Sequence, residues 1–200
     1  NKTSWRDGLK NSLINIYKYG AVKVSENPVL LKNTYIRGGK LLEIILKTRG
    51  NVLRSFSREI TAPKFELNNS RKNIVKAFNA GNEFEALLVF LISDDVPQSF
   101  IEGYSYLKGN VAKSYPEKVK AIFSANSWHG DELFKQWAAN KAEEGVLLLG
   151  TQHGGNYGSL KYLPSERHEK KITDYYYTWG WSDKASNIKN HMPATHLIGI

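Results

Sequence analysis

The sequence predicts an α/β fold: a Rossmann-like parallel sheet flanked by helices, preceded by a helical N-terminal part. Three observations predict it. From residue 119 onward, short apolar runs alternate with amphipathic helical patterns at the spacing that crossover connections need. One of those runs, residues 146–151, is continuously apolar, the pattern of a strand covered on both faces. That run opens directly into a glycine-rich loop, Gln152–Gly158, at the place where open parallel sheets bind ligands.

Element by element, Leu9, Leu13, Ile16 and Tyr17 fall at helical spacing and predict a helix over 4–19, with Thr3 or Ser4 as its cap. Asn27-Pro28 is a break. Leu41, Leu42, Ile45 and Leu46 share one face of a helix over 34–48, and 51–60 reads as either helix or strand. Asn69-Ser70 caps a helix that ends near Gly81. Residues 83–93 form a second helix, apolar enough to be well buried, stopped by Asp94-Asp95-Val96-Pro97. Ser99 caps a helix over 100–114. The alternation then begins: a strand at 119–124, a helix at 131–144 stopped by Gly145, a strand at 146–151, a short helix at 164–172, and strands at 175–180 and 196–200. Two parts result: a basic helical and irregular stretch over 1–68, and a Rossmann-like lobe over 69–200.

Composition excludes several classes. The 200 residues are 41% hydrophobic and 24% charged, with a mean hydropathy of −0.45, which is ordinary for a globular domain and unlike a disordered chain, a collagen or a coiled coil. No cysteine is present, so disulfides, thiol nucleophiles, iron–sulfur clusters and thiolate zinc sites are excluded. The opening at Asn1 and the apolar finish at His196–Ile200 point to a piece of a longer protein. The net charge of +9 is uneven: residues 1–76 hold 16 of the 28 Lys/Arg and 5 of the 19 Asp/Glu. A basic first third suits an anionic partner, such as phosphate-rich lipid headgroups or an acidic glycan. Nucleic acid fits less well, because the aromatic residues cluster in the acidic part rather than among the basic side chains.

The loop Gly150-Thr-Gln-His-Gly-Gly-Asn-Tyr-Gly158 carries the most chemistry. A strand end delivers Gln152 and His153 to the ligand edge, and Gly154 and Gly155 offer unblocked N–H groups. A histidine there can take or give a proton near neutral pH. The loop is neither a Walker A nor a G-x-G-x-x-G fingerprint, and the chain has no Gly-x-Ser-x-Gly elbow. Asn126, Ser127, Trp128 and His129 follow another strand end on the same edge, where they suit acceptor contacts. Glu102 stands in the first turn of a helix, placed to deprotonate a hydroxyl. Asp94-Asp95 reads as a helix terminus. His168, His191 and His196 lack the spacing of a zinc site.

Two of these segments also carry a resemblance. Gln152-His-Gly-Gly-Asn-Tyr-Gly158 followed by Asp174-Tyr-Tyr-Tyr-Thr-Trp-Gly-Trp181 resembles a family of bacterial surface-polysaccharide transferases first catalogued in leptospires. Val96–Tyr104, Ala121–Asn126 and the helix from Asp131 to Gly145 are similar to that family as well. The resemblance implies one lobe of a two-lobed glycosyltransferase-type architecture. The lobe with most of the nucleotide contacts would follow Ile200. It implies an acceptor-side lobe acting in O-antigen or capsule synthesis, with a nucleotide-activated sugar as donor and a lipid-linked or other glycan as acceptor.

In that reading His153 and Glu102 are the catalytic candidates. Gln152, Gly154, Gly155, Tyr157, Asn126, Asp174, Trp179 and Trp181 bind substrate. No cofactor and no metal are expected. The place of action is the cytoplasm, at the inner face of the membrane, with residues 1–76 toward anionic lipid. A nucleotide-sugar epimerase of similar fold and a basic nucleic-acid-binding module are the alternatives.

Overall fold

The computed structural model describes residues 27–55, 63–67, 71, 73, 76, 78–190 and 193–198. The expected helix over 4–19 lies outside them, as do Asn69, Ser70, Lys72, Ile74, Val75 and Ala77 of the next one. The chain divides into two compact units, Asn1–Ser57 with Tyr115–Ile200, and Arg58–Ser114.

The first unit is built on a sheet of six described strands: β1 (Val29–Lys32), β2 (Val52–Arg54), β3 (Ala121–Ser124), β4 (Leu147–Thr151), β5 (Tyr175–Tyr177) and β6 (Ile188–Lys189). Their order is β2-β1-β3-β4-β5-β6, and every neighbouring pair is parallel. The α/β, Rossmann-like arrangement that the sequence predicts is therefore present. Two of its strands come from the first 68 residues: β2 lies in the 51–60 stretch that reads as either helix or strand, and β1 in a stretch with no strand expected. β1 offers only Val29-Leu-Leu before a lysine, too short a run to announce a strand. At the other end, residues 195–197 form a 3-10 turn rather than a strand, and β6 lies earlier, at Ile188–Lys189.

Side-chain alternation builds the core. Leu31 pairs in register with Phe123, and Phe123 with Leu149. Leu31 and Phe123 pack against Leu41 and Ile45 of helix α1 (Gly38–Lys47), with Leu149 and Tyr177 beside them. Leu30, Ile122 and Leu148 fall on the opposite face by the period of two. The other buried cluster is aromatic: Trp128 lies 5.1 Å from Phe134, and Tyr115 stacks on Trp137 at 4.6 Å. Phe134 and Trp137 belong to a helix over Glu132–Glu143 whose N-cap is Asp131. Asp131 accepts from the Phe134 amide at 2.9 Å and also pairs with buried Lys32, at 2.9 Å, from the end of β1.

In the second unit, helix α2 (Glu83–Asp95) is capped by the Asn82 side chain on the Glu85 amide, while the Glu85 carboxylate accepts from Gly81. The expectation that this helix is well buried is not met. Phe84, Leu87, Leu88, Phe90 and Leu91 are all between 42% and 72% exposed. A helix apolar on every side needs neighbours on every side, and a unit of this size cannot supply them. The helix expected over 100–114 is split into a 3-10 turn at Gln98–Phe100 and helix α3 (Tyr104–Ser114). The Gly103 amide closes that turn on the Gln98 carbonyl at 2.7 Å, and Phe65 and the same carbonyl crowd the glycine on its side-chain side.

Arg71 fastens this unit. Its guanidinium makes two bonds to the Glu102 carboxylate, at 2.7 and 2.9 Å, and donates to the Val96 and Asp94 carbonyls at the end of α2. Both side chains are buried. The forked geometry satisfies helix-end carbonyls and a carboxylate at once. Glu102→Gln should therefore leave a buried guanidinium short of its counter-charge. Its thermal midpoint should fall by several degrees, whereas that of Glu117→Gln, at an exposed position, should stay within about a degree of wild type.

Glycine 158 carries a second test. Its φ is +74°, and a Cβ there would lie 2.7 Å from the Trp181 ring. At Gly155 a Cβ would meet nothing within 4 Å. Denaturant unfolding should show Gly158→Ala losing about 1–3 kcal/mol from the backbone conformation alone, and Gly155→Ala staying within about 0.5 kcal/mol of wild type.

Candidate functional site

The strand order sets where the crevice of the sheet lies. From β1 the chain steps outward to β2, and it later returns to the other side of β1 as β3. The segments leaving β1 and β3 diverge at their carboxyl ends, and this switch point is where open α/β sheets form their crevice. A cavity of about 420 Å³ lies there, lined by Leu31, Asn33, Thr34, Tyr35, Arg54 and Asn126. Its volume falls within the range of small-ligand sites.

The wall formed by residues 33–36 is under tension. Asn33 has φ +47° and Tyr35 φ +60°. Asparagine tolerates that region, but a tyrosine there is held against its preference. The restraints are visible. The Asn126 amide donates to the Tyr35 hydroxyl at 2.5 Å, the Asn33 amide donates to Ser127 Oγ at 2.9 Å, and the Ile36 amide bonds Thr34 Oγ1. The loop after β1 is thus laced to the loop after β3. Strained residues fixed from several sides cluster at functional sites.

Beside the cavity stands a buried carboxylate. After α3 come helices α4 (Ser127–Gly130) and α5 (Glu132–Glu143), and then helix α6, which runs from Pro164 to Ile172 with proline at its first turn. It turns Glu169 inward, where the side chain has no solvent exposure. Glu169 Oε1 meets His129 Nε2 at 2.5 Å, His153 Nε2 at 3.0 Å and the Tyr157 hydroxyl at 3.1 Å. The Tyr176 hydroxyl donates to Oε2 at 3.0 Å. Tyr157 Oη also lies 2.7 Å from His153 Nε2. Burial, with the Glu169 charge adding to it, pushes both tyrosine hydroxyls well above their ordinary range, so they stay protonated. His153 is 20% exposed and His129 37%. The His153 ring lies nearly parallel to that of Tyr35, with centroids 6.4 Å apart. Tyr35, which lines the cavity, thus also stands near the cluster.

The residues singled out in the sequence separate into three groups. His153, Tyr157 and Asn126 come together here, with Gly154 and Gly155 in the same loop; the Gly155 side opens on free space. Gln152, Trp179 and Trp181 form an adjoining bracket. Gln152 Oε1 accepts from the Trp179 amide and from Trp181 Nε1, and its own amide donates to the Gly154 carbonyl. Gln152 is 4% exposed and spends its polar atoms holding two loops. Trp181 packs over Gly158 and under the Lys170 ammonium. Trp179 Nε1 is buried and lacks a partner among the described residues.

The third group lies elsewhere. Asp174 precedes β5 and accepts from the Leu148 amide at 2.7 Å, at the amino end of the sheet and so away from His153. Glu102 belongs to the other unit and is engaged by Arg71. Of the histidines weighed as zinc ligands, His196 faces Trp179 and His168 lies near His129, while His191 is outside the described residues.

Sequence reasoning missed Glu169, Tyr35 and the cavity role of Arg54. One signal for Glu169 existed. The 164–172 helix, Pro-Ser-Glu-Arg-His-Glu-Lys-Lys-Ile, has a single apolar residue, Ile172. Its inward face has to include a polar side chain, and Glu169 stands three residues before Ile172 on that face.

Comparison with known proteins adds one finding. No curated protein and no solved structure matches the chain significantly. The model of a family described as LIC12162 family transferase matches residues 1–200. The leptospiral-type resemblance carried by the Gln152–Gly158 and Asp174–Trp181 segments agrees with it, and the chain belongs to the LIC12162 family of transferases.

Proposed function

We propose that this chain is the acceptor-side lobe of a glycosyltransferase that builds bacterial cell-surface polysaccharide. The observation that carries the reading is the Glu169–His129–His153 cluster beside a polar cavity at the switch point of the sheet. Sugar transfer needs a group that takes a proton from the acceptor hydroxyl while that oxygen bonds the anomeric carbon and the bond to the leaving phosphate breaks. An imidazole backed by a buried carboxylate is built for this: the carboxylate orients the ring and stabilises the cation formed. Tyr35, Thr34 and Asn126 supply hydroxyl and amide groups for a hydroxylated ring, and Arg54 supplies positive charge to the same cavity.

The donor in this reading is a nucleotide-activated sugar, held mostly by a second lobe. The acceptor is a lipid-linked glycan at the cytoplasmic face of the membrane, and the basic surplus over residues 1–76 supports that placement. Among the described residues, no helix is long and apolar enough to cross a membrane.

The test uses the natural protein that contains this lobe. It is incubated with a panel of nucleotide-activated sugars and lipid-linked glycan acceptors, and products are weighed by mass spectrometry. One added glycosyl unit on an acceptor is the expected result. A donor isomerised without any acceptor would replace transfer with epimerisation. Assayed at a temperature where each variant stays folded, His153→Ala should lower kcat by roughly 10²-fold or more. Glu169→Gln should lower kcat too, and the double variant should be no worse than the poorer single, because the two act as one unit. A His153→Ala enzyme with near-normal kcat would remove this histidine from the chemistry.

A further inference from the structure

We infer that His129, His153 and Glu169 form a binding site for one divalent first-row transition-metal ion, of the class represented by Zn²⁺. The three side chains come from separate segments: the end of the short α4 helix, the loop after β4, and the helix over Pro164–Ile172. Their ligand atoms all lie within 4.8 Å of one another. Both imidazoles aim Nε2, rather than one Nε2 and one Nδ1, at the same carboxylate oxygen. Two histidines and one carboxylate are a recurrent donor set for such ions when a coordination position stays open.

Protons alone serve this arrangement poorly. His153 Nε2, Tyr157 Oη and Glu169 Oε1 form a triangle with edges of 2.7, 3.0 and 3.1 Å. Tyr157 brings one proton and His153 Nε2 brings at most one, so two protons serve three edges, and only a bent three-centre bond from Nε2 can reach both oxygens. His129 Nε2 then presses on the same oxygen from 2.5 Å. A dication uses the lone pairs of both imidazoles and of Glu169 Oε1, leaves the Tyr157 hydroxyl to donate, and offsets the charge of a carboxylate that water does not reach.

The geometry is close to what an ion needs. Ligands about 2.0–2.2 Å from a tetrahedral metal are roughly 3.3 Å apart. The His153–Glu169 pair at 3.0 Å is nearly there, and His129, more than a third exposed on a four-residue helix, has room to swing outward by under about an ångström. Tyr176 on Glu169 Oε2 is the outer hydrogen bond that commonly fixes a ligating carboxylate. With no thiolate in the chain and two imidazoles in the set, the site favours Zn²⁺ and its neighbours over Mg²⁺ or Ca²⁺, which prefer all-oxygen shells. The histidines weighed from sequence spacing, His168, His191 and His196, are not this set; the fold gathers His129 and His153 from positions 24 residues apart.

The proposal rests on the transfer reading only for what would bind beside the ion, on the side near Tyr35. There the ion would activate the acceptor hydroxyl by making its proton more acidic, in place of proton removal by imidazole. The experiment needs no substrate. The 200-residue chain is stripped with chelator, then titrated with ZnCl₂ by calorimetry and with CoCl₂ by visible absorption. One ion per chain is expected, with Co²⁺ bands of four- or five-coordinate intensity. His129→Ala and His153→Ala, both at partly exposed positions, should each weaken binding by about 100-fold or more, at or beyond the limit for an outer-shell partner. His196→Ala should bind as wild type does. Absence of Zn²⁺ and Co²⁺ uptake by the folded chain, or uptake indifferent to both His129→Ala and His153→Ala, would overturn the site. That result would leave the transfer reading intact, with the cluster acting through imidazole. An ion bound here in a protein that transfers no sugar would instead support the site and remove the transfer reading.

Discussion

A carboxylate sealed from water has to be answered by its surroundings, and around Glu169 four side chains supply the answer: His129, His153, Tyr157 and Tyr176. They arrive from the segments after β3 and β4 and from β5, and meet on the helix that carries Glu169. An unpaired buried charge is expensive enough to select one arrangement of all these segments over alternatives. The same contact that fixes the carboxyl edge of the sheet therefore places the two imidazoles. The loop Gln152–Gly158 is tied at several points despite its glycines. Gln152 ties it to Trp179 and Trp181, Gly158 seats it against the Trp181 ring, and Glu169 holds its histidine.

The switch point depends on a second buried charge. Lys32 ends β1 at 3% exposure, and its ammonium is met by Asp131 and the Tyr115 hydroxyl. Asp131 is also the N-cap of the following long helix. One aspartate thereby couples the end of β1 to the start of the helix after β3. That coupling aligns the two loops that face each other across the cavity, the one through Asn33 and Tyr35, the other through Asn126 and Ser127. The positive φ values at Asn33 and Tyr35 are sustained by this lacing.

The unit over Arg58–Ser114 follows another logic. Its ion pair, Arg71 with Glu102, serves helix-end carbonyls as well as the carboxylate. A glutamate in a first helical turn looks in sequence like a free acid. In three dimensions Glu102 is 4% exposed and occupied. The apolar helix α2 makes the converse point: hydrophobicity in a sequence states a preference for burial, while burial itself requires enough surrounding chain.

The sequence by itself determined the α/β class, the helix over 164–172, the strand and helix pattern from 119 to 177, and the loop that carries His153. Each of these is a local signal: periodicity, capping residues, or glycine where the backbone bends. What the tertiary structure alone decided is which polar residues meet. β1 escaped notice because three apolar residues are too few to show a period, and with β1 went the switch point and Tyr35. Asp174 and His153 both lie next to strands, yet the direction of β4 and β5 sends them to opposite ends of the sheet. Glu169 differs from Glu166 in nothing that composition records; the turn of one helix against β4 and β5 buries the first and leaves the second to cap the Gly158 amide. Pairing across 16 residues to His153 and 40 to His129 is a property of the packed sheet, because only packing excludes the water that would otherwise satisfy each group separately.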